Sequence, residues 1–261
     1  MFTLITGASS GIGFELAHEY AKNGHDLIIT ARSTEKLVHL KSELQRLYKV
    51  QVEVFSCDLA VKNSAVKLHN KIKEHGLNLN GLVNNAGFGD LSEFEKASLD
   101  KTLEMIQLNI TSLTELTHLF LKELIHHAPS RIMNVASIAS FLPGPLMAVY
   151  YATKAYVLSF SDAIYTELKS QNVSVTALCP GPTISGFQTA ANYSNSSLIE
   201  KIKFPTSAQV AEYGYKKTMQ GKNIAIHGTF NNFMIFMTRF LPRSSISKMV
   251  YALQKKRKID E

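Results

Sequence analysis

A tyrosine and a lysine in the second half of the chain have the chemistry to transfer a proton together. Tyr150 and Lys154 are four residues apart in a run whose pattern predicts a helix. Residues at that spacing lie on one face of a helix, so the lysine ammonium can sit beside the tyrosine phenol. A phenol loses its proton near pH 10 in water, and a nearby cation lowers that pKa by stabilising the anion. The pair is a candidate acid–base device, and a plain helix surface is the alternative.

A glycine-rich loop follows the first apolar run of the chain. Its glycines are spaced Gly-x-x-x-Gly-x-Gly, which differs from the Gly-x-Gly-x-x-Gly dinucleotide fingerprint. Glycines allow a tight turn and close approach of the backbone, and the helix that follows offers unpaired N–H groups to a diphosphate. The residues expected at this phosphate site are Gly7, Ser9, Ser10, Gly11, Ile12 and Gly13. A glycine turn with a purely structural role is the alternative.

A basic residue ends the second predicted strand, where a dinucleotide fold usually meets the adenosine ribose. Arg32 stands there, nineteen residues past Gly13. An Asp or Glu would accept from the ribose 2′-hydroxyl, whereas a guanidinium pairs with a 2′-phosphate through charge-assisted hydrogen bonds. We therefore expect NADP rather than NAD, with a solvated surface arginine as the alternative.

Strand-like and helix-like segments alternate along the chain. Short apolar runs predict about seven strands, at residues 2–6, 26–30, 50–56, 79–83, 131–136, 173–178 and 224–227. Helical patterns separate them, at residues 34–47, 61–75 and, as one long helix, 99–127. This alternation predicts an α/β fold, a Rossmann-like doubly wound parallel sheet with helices on both faces. Ligands of such sheets bind beyond the carboxyl ends of the strands, where every motif above falls.

Composition restricts the class of protein. The chain has 261 residues, 45% hydrophobic and 19% charged, which predicts a single globular domain over residues 1–261. The two cysteines, Cys57 and Cys179, form no Cys-x-x-Cys pair, and the histidines form no metal-ligand pattern, so neither disulfides nor a metal is expected. No signal peptide and no apolar run of about 18 residues is recognisable, which predicts a cytoplasmic protein.

The end of the chain is basic and amphipathic. Of the net charge of +7, seven Lys/Arg and two Asp/Glu from Arg239 onward supply +5. Apolar residues recur there at helical spacing: Phe230, Phe233, Met234, Met237, Phe240 and Leu241. Residues 229–258 could therefore contact an anionic membrane surface. A helix packed over the substrate cleft or a partner subunit, with a solvated tail, is the alternative. No aromatic–basic motif points to nucleic acid.

Several separated motifs together resemble the short-chain dehydrogenase/reductase family. Between residues 3 and 183, the glycine loop reads as TGxxxGxG, residues 84–87 as NNAG and residues 150–154 as YxxxK. Asn109, Ser137 and the Pro180-Gly181 pair stand in the matching order, and Ser137 precedes Tyr150 by thirteen residues. The C-terminal stretch resembles, loosely, a branch with bacterial DltE-like and 3-ketoacyl-type reductases.

The resemblance implies a catalytic tetrad of Asn109, Ser137, Tyr150 and Lys154. Tyr150 would protonate a carbonyl oxygen as NADPH delivers hydride to its carbon, and would take the proton back in the oxidative direction. Lys154 would lower the pKa of the phenol and hydrogen-bond the nicotinamide ribose. Ser137 would hold the carbonyl oxygen, and Asn109 would position a water between Lys154 and solvent. A turn cap at Ser137 and a polar helix kink at Asn109 are the alternatives.

Further cofactor contacts follow from the resemblance. They are Asp58 and Leu59 near the adenine, Asn85, Ala86 and Gly87 along the cofactor, Pro180, Gly181 and Thr183 at the nicotinamide end, and Tyr150 and Lys154 themselves. Asp58 could also cap the end of a strand. Tyr151, where many relatives carry a small residue, is a rival phenol that we assign to packing or a subunit contact.

Two apolar segments are expected to form the substrate side. Residues 138–147 lie between Ser137 and Tyr150, and residues 184–204 form a region that in the family closes over the substrate. Neither holds a cluster of Arg or Lys that would clamp a carboxylate or phosphate, so we expect a small apolar ketone, aldehyde or acyl-linked carbonyl. The resemblance also implies a homo-oligomer, a dimer or tetramer. A catalytically silent NADP sensor of the same fold is the rival, and it would be free to lose Tyr150 or Lys154.

Overall fold

A seven-stranded parallel sheet forms the centre of the protein. The computed structural model describes residues 1–184 and 204–258, with side chains as far as Lys255. The strands are β1 (Phe2–Thr6), β2 (Asp26–Ala31), β3 (Val52–Ser56), β4 (Leu79–Asn84), β5 (Ser130–Val135), β6 (Val173–Cys179) and β7 (Ile224–Ile226). Their order is β3-β2-β1-β4-β5-β6-β7, and all neighbours are parallel. The predicted fold class is confirmed, and the strand order reverses between β1 and β4, the switch point at which such sheets bind ligands.

Helices cover both faces of the sheet. They are α1 (Gly11–Lys22), α2 (Thr34–Tyr48), α3 (Ser64–Glu74), α4 (Leu99–Ile106), α5 (Leu113–His126), α6 (Ala148–Leu168), α7 (Ser207–Met219), α8 (Thr229–Met237) and α9 (Arg243–Lys258). Apolar residues of α1, α2 and α7 form one core cluster against the sheet, and those of α3, α5 and α6 form the other. β1 is buried along its whole length, and its sequence, Phe-Thr-Leu-Ile-Thr, carries no charged residue and no strict apolar–polar alternation. None of the helices in the described part of the chain combines the length and apolarity needed to span a bilayer.

The long helix predicted over residues 99–127 is present as an unbroken helical run, but its middle is not α-helical. The structure has α4 and α5 joined by a π-helical segment, Gln107–Ser112. A π segment inserts a residue into the turn without changing the apolar character of the run, so the hydrophobic pattern does not reveal it. Smaller differences occur at α3, which begins at Ser64 after a left-handed Asn63, and at β3, which begins at Val52.

A buried polar network joins the centre of the sheet to the helices on one face. The amide of Asn84 on β4 donates to Thr117 on α5 and to Asn134 on β5, over 3.0 and 2.9 Å. Asn134 in turn donates to Ser161 on α6 over 2.9 Å. Since buried amides seldom go unpaired, these contacts fix the position of α6 against the sheet. The helix that carries Tyr150 and Lys154 is therefore anchored from below.

Candidate active site

The glycine loop between β1 and α1 has little room for side chains. Gly7 and Gly11 have left-handed backbones, with φ of 67° and 58°. A Cβ on Gly13 would stand 2.3 Å from the Gly7 carbonyl oxygen and from Asn85 Nδ2. Asn85 Nδ2 also donates to the carbonyl of Thr6 over 2.9 Å, which ties the loop to the end of β4. The loop therefore brings bare backbone and the first turn of α1 to the cleft, a geometry suited to a diphosphate.

A cleft of about 1150 Å³ runs along the carboxyl ends of the strands. Three of the four predicted catalytic residues line it, Ser137, Tyr150 and Lys154, while Asn109 lies behind the wall. Of the predicted cofactor residues, all except Gly13 line it: Gly7, Ser9, Ser10, Gly11, Ile12, Arg32, Asp58, Leu59, Asn85, Ala86, Gly87, Tyr150, Lys154, Pro180, Gly181 and Thr183. The parallel sheet thus brings residues from both halves of the chain into one groove.

Lys154 is buried at the floor of this cleft. Only 6% of the residue is exposed, and its Nζ donates to the carbonyl of Val135 at the end of β5 over 2.8 Å. The same nitrogen lies 5.9 Å from the centroid of the Tyr150 ring. Burial lowers the pKa of the Lys154 ammonium to about 8. An anion formed beside it, such as a phenolate, would offset part of this desolvation.

Asn109 lies in the π segment and joins three parts of the site. Its amide nitrogen donates to the carbonyl of Phe88 and to the hydroxyl of Thr153, both over 3.0 Å. Its oxygen accepts from the Phe88 N–H over 3.2 Å. A Cβ on Gly87 would stand 2.9 Å from that oxygen and 3.5 Å from Lys154 Nζ, so Gly87 separates the two side chains. The water-positioning role of Asn109 stays a prediction.

Ser137 follows β5 and faces the cleft from the turn before α6. Its hydroxyl oxygen accepts from the N–H of Ala139 over 3.1 Å, which is the capping role left open by the sequence. A hydroxyl that accepts one hydrogen bond still has its own proton to donate, so the cap is compatible with binding a carbonyl oxygen. The next residue, Ile138, donates its N–H to Pro180 over 3.0 Å and thereby joins this turn to the segment after β6.

The adenosine end of the cleft is polar. Arg32 is exposed directly after β2, and no hydrogen bond or ion pair holds its guanidinium within residues 1–184 and 204–258. One carboxylate oxygen of Asp58 accepts from the N–H of Ala60 over 3.0 Å, which forms an Asx turn shortly after β3, and the residue also lines the cleft. The Arg32 side chain is available to an incoming phosphate.

Tyr151 is held between two parts of the chain. A Cβ on Gly144 would stand 2.0 Å from its ring, and its hydroxyl accepts from Nε2 of Gln254 over 3.0 Å. The same Nε2 lies 3.6 Å from the sulfur of Met147. The rings of Tyr150 and Tyr151 meet edge to face, with centroids 6.0 Å apart. This packing accords with the non-catalytic role assigned to Tyr151.

The C-terminal helices form walls of this same cleft, one of the placements that the sequence left open. Residues of α8 and α9 line it beside the catalytic helix, among them Phe230, Met234, Val250, Leu253 and Gln254. Ile246, Val250 and Gln254 recur every four residues and are buried, so the helical period marks the inward face of α9. The period alone could have placed Gln254 on that face, but it carries no information about which part of the fold α9 covers.

The expected substrate-covering region lies mostly outside the described residues. Its apolar members Phe187, Tyr193, Leu198, Ile199 and Ile202 belong to residues 185–203. The two ends of that segment meet at the cleft, where the N–H of Ile184 donates to Pro205 over 3.0 Å. Phe204 and Pro205 themselves line the cleft.

The Cys179 thiol at the end of β6 is unsuited to acid–base catalysis. Burial raises the pKa of the Cys179 thiol to about 12, so it stays protonated at neutral pH. Within the described stretches, no group of three or more His, Cys, Asp or Glu side chains is placed to hold a metal ion. The acid–base groups of the floor, Tyr150 and Lys154, remain the candidates for catalysis.

Comparison with known proteins identifies the family. A family model described as short chain dehydrogenase matches residues 2–195. The chain belongs to the short-chain dehydrogenase family. The predicted family is thereby confirmed, and with it an oxidoreductase acting on the CH–OH/C=O pair.

Two relatives illustrate where the chain lies within the short-chain dehydrogenases. The very-long-chain 3-oxoacyl-CoA reductase of Bos taurus is 30% identical over 240 residues, which cover 90% of this chain and 72% of that protein. The 17-beta-hydroxysteroid dehydrogenase type 3 of Homo sapiens is 32% identical over 203 residues, covering 77% of this chain and 64% of that protein. The loose resemblance to 3-ketoacyl-type reductases is supported by the first of these.

Solved short-chain dehydrogenase structures share the fold at similar coverage. One from Sphingobium yanoikuyae, in complex with NADPH, is 26% identical with a TM-score of 0.80 and covers 91% of this chain and 93% of its own. A bulky-bulky ketone specific alcohol dehydrogenase from Comamonas testosteroni is 26% identical with a TM-score of 0.77, covering 91% of each chain.

Proposed function

We propose that this protein is an NADPH-dependent reductase of apolar carbonyl compounds, working reversibly as an alcohol dehydrogenase. The observation that carries the proposal is the buried Lys154 ammonium. Its Nζ donates to the carbonyl of Val135 and lies 5.9 Å from the centroid of the Tyr150 ring. Maintaining a buried cation costs free energy, so a site that does so beside a phenol is suited to proton transfer. A silent NADP sensor would gain nothing from this arrangement.

The residues of the cleft divide the work of reduction. When bound, NADPH supplies a hydride to the carbonyl carbon. Tyr150 gives its proton to the carbonyl oxygen, and Ser137 donates a hydrogen bond to the same oxygen. Lys154 stabilises the phenolate that remains, which then regains a proton from solvent before the next turnover.

The cofactor fits the residues on two counts. The glycine loop presents backbone where a Cβ would collide, which suits the close approach of a diphosphate. The unengaged Arg32 lies where a 2′-phosphate would stand. The Sphingobium yanoikuyae neighbour in complex with NADPH supports the same choice.

The substrate end of the cleft favours an apolar molecule. Its wall includes Leu142, Phe230, Met234, Val250 and Leu253. No described arginine or lysine other than Lys154 lines this end, so a free carboxylate or phosphate would lack a partner. The relatives named for 3-oxoacyl-CoA and for bulky ketones support a ketone or a 3-oxoacyl thioester as the substrate class.

The deciding experiment pairs two neighbouring tyrosines. NADPH oxidation is measured over ketones, aldehydes and 3-oxoacyl thioesters for the wild type, Tyr150→Phe and Tyr151→Phe. Tyr150→Phe should lower kcat by about 10³-fold or more, the scale of a lost general acid, with NADPH affinity unchanged. Tyr151→Phe removes only the hydroxyl bonded to Gln254 and should stay within about tenfold of the wild type. An active Tyr150→Phe enzyme, or a wild type inert on the whole panel, would contradict the proposal.

We further infer the setting of this enzyme. A single catalytic domain over residues 1–261 forms a homo-oligomer, a dimer or tetramer, as short-chain dehydrogenases usually do. It works in the cytoplasm, with peripheral contact to a membrane through residues 229–258, and it has no nucleic-acid partner. The basic, apolar C-terminal stretch supports the membrane contact.

A further inference from the structure

The exposed side of α8 and the turn after it is apolar. Its mostly exposed side chains are Phe230, Phe233, Phe236, Met237, Phe240 and Leu241, which we call the apolar face. At about 100° per residue, the four on α8 fall within one third of the helix circumference, and buried Ile235 lies on the opposite side. Phe236 and Phe240 pack edge to face with centroids 5.3 Å apart. So many aromatic rings in water on one surface indicate a contact with something apolar.

The stretch of chain that carries this apolar face is strongly basic. Residues 228–258 contain seven Lys/Arg and no Asp or Glu. Four of these cations have exposed side chains and are called the basic rim: Arg239, Arg243, Lys248 and Lys255. Rings flanked by cations are typical of segments that lie in the headgroup region of an anionic bilayer. A second copy of the chain fits less well, because a two-fold contact would set these like charges against one another.

The apolar face continues into the cleft. Phe230 lines the cleft although 74% of it is exposed, and Leu253 on α9 lines it although 61% is exposed. These two side chains form the lip of the opening. Behind the lip, Gln254 is buried and bonded to Tyr151, next to Tyr150. The apolar face is therefore continuous, through Phe230, with the cleft that the proposed proton donor lines.

We propose that the apolar face and its basic rim dock on an anionic phospholipid bilayer, so that a long-chain carbonyl enters the cleft from the lipid. This rests on the proposed function for the reaction and for the membrane contact, and it adds the lipid class and the route of the substrate. An acyl chain passing over Phe230 and Leu253 would stay in contact with apolar atoms throughout, which avoids exposing it to water.

The test of docking uses vesicles and matched variants. Full-length protein is co-sedimented with vesicles of phosphatidylcholine alone or mixed equally with phosphatidylglycerol. Binding should require the anionic lipid and fall at least tenfold in Phe233→Ser/Phe240→Ser and in Arg243→Glu/Lys248→Glu. Two control variants make apolar-to-serine and cation-to-glutamate changes at exposed positions outside the C-terminal stretch. They are Val38→Ser/Leu47→Ser and Lys67→Glu/Lys169→Glu, and both should bind vesicles like the wild type. Absent binding, or equal binding by all variants, overturns the docking.

The test of substrate entry uses two ketones of different length. Neither Phe233 nor Phe240 lines the cleft, so their double variant should reduce a short water-soluble ketone at the wild-type rate. It should reduce a long-chain ketone carried in anionic vesicles at least fivefold more slowly. Equal rates on the vesicle substrate, despite lost binding, overturn entry from the lipid. If the wild type does not reduce the short ketone at all, the proposed reaction is refuted, and the result of the vesicle-binding experiment is unaffected.

Discussion

Lys154 carries a charge in a place that disfavours charge. Its pKa falls from 10.5 to about 8 on burial, so the unfolded chain binds more protons than the folded chain between those pH values. Stability must then rise with pH across that window as far as this residue is concerned. The penalty present below pH 8 is on the order of 3 kcal/mol, at about 1.36 kcal/mol per pKa unit.

Replacing Lys154 by methionine should therefore have a pH-dependent effect. In cofactor-free protein, the free energy of unfolding of the wild type minus that of Lys154→Met should increase by about 2 kcal/mol from pH 8 to pH 9.5. Buried tyrosines such as Tyr20 contribute equally to the pH dependence of both proteins, so their contribution cancels when the two free energies of unfolding are subtracted. Urea denaturation at the two pH values measures it, and a constant difference would show that Lys154 is not desolvated.

Arg32 should determine the choice between the two nicotinamide cofactors. Arg32→Ala removes the guanidinium expected to pair with the 2′-phosphate, so kcat/KM for NADPH should fall about 10- to 100-fold, the scale of charged hydrogen bonds. The value for NADH should change less than about threefold. Lys36→Ala, an exposed cation in the first turn of α2, serves as the control. A parallel loss with both cofactors would contradict the assignment.

Among the elements, the π segment between α4 and α5 stabilises the fold through the buried side chain of Asn109. Asn109 bonds both backbone groups of Phe88 and the hydroxyl of Thr153. Asn109→Ala leaves these buried groups unpaired and should lower the free energy of unfolding by about 2 to 3 kcal/mol. Asn70→Ala, an exposed position on α3, should change it by less than about 0.5 kcal/mol. Equal effects in urea denaturation would contradict this account.

The sheet and the glycine loop could be predicted from sequence because their signals are local. Buried parallel strands such as β1 lack charged residues, and Gly7 and Gly11 stand where the backbone is left-handed. The joint spacing of Ser137 and Tyr150 carried the family resemblance. The sequence could not decide whether the C-terminal helices cover the cleft, a partner subunit or a membrane, because Gln254 meets Tyr151 across 103 residues of chain. The π segment was not predicted because it changes the hydrogen bonding of the backbone without changing the hydrophobic pattern of the sequence.

For the whole molecule, a second apolar surface suits subunit contact. Phe94, Leu99 and Leu103 are mostly exposed on and just before α4. If the homo-oligomer uses this surface, Leu99→Glu/Leu103→Glu should shift the mass in light scattering from a dimer or tetramer to the 29.0 kDa chain. Val66→Glu, an exposed apolar position on α3, should leave the mass unchanged. A double variant that keeps its oligomeric mass would place the contact elsewhere.

The hydrogen bond between Gln254 and Tyr151 lies where the C-terminal wall of the cleft meets the helix of the proposed catalytic residues. These two parts are far apart in the sequence, so each could change during evolution without the other. Every proposed catalytic group lies between Asn109 and Lys154, whereas the C-terminal wall of the cleft comes from residues after 227. New sequences after residue 227 could thus admit new molecules without disturbing proton transfer or cofactor choice. A chimera that exchanges only those positions between two family members should carry over the substrate preference of the donor while keeping the nicotinamide preference of the recipient.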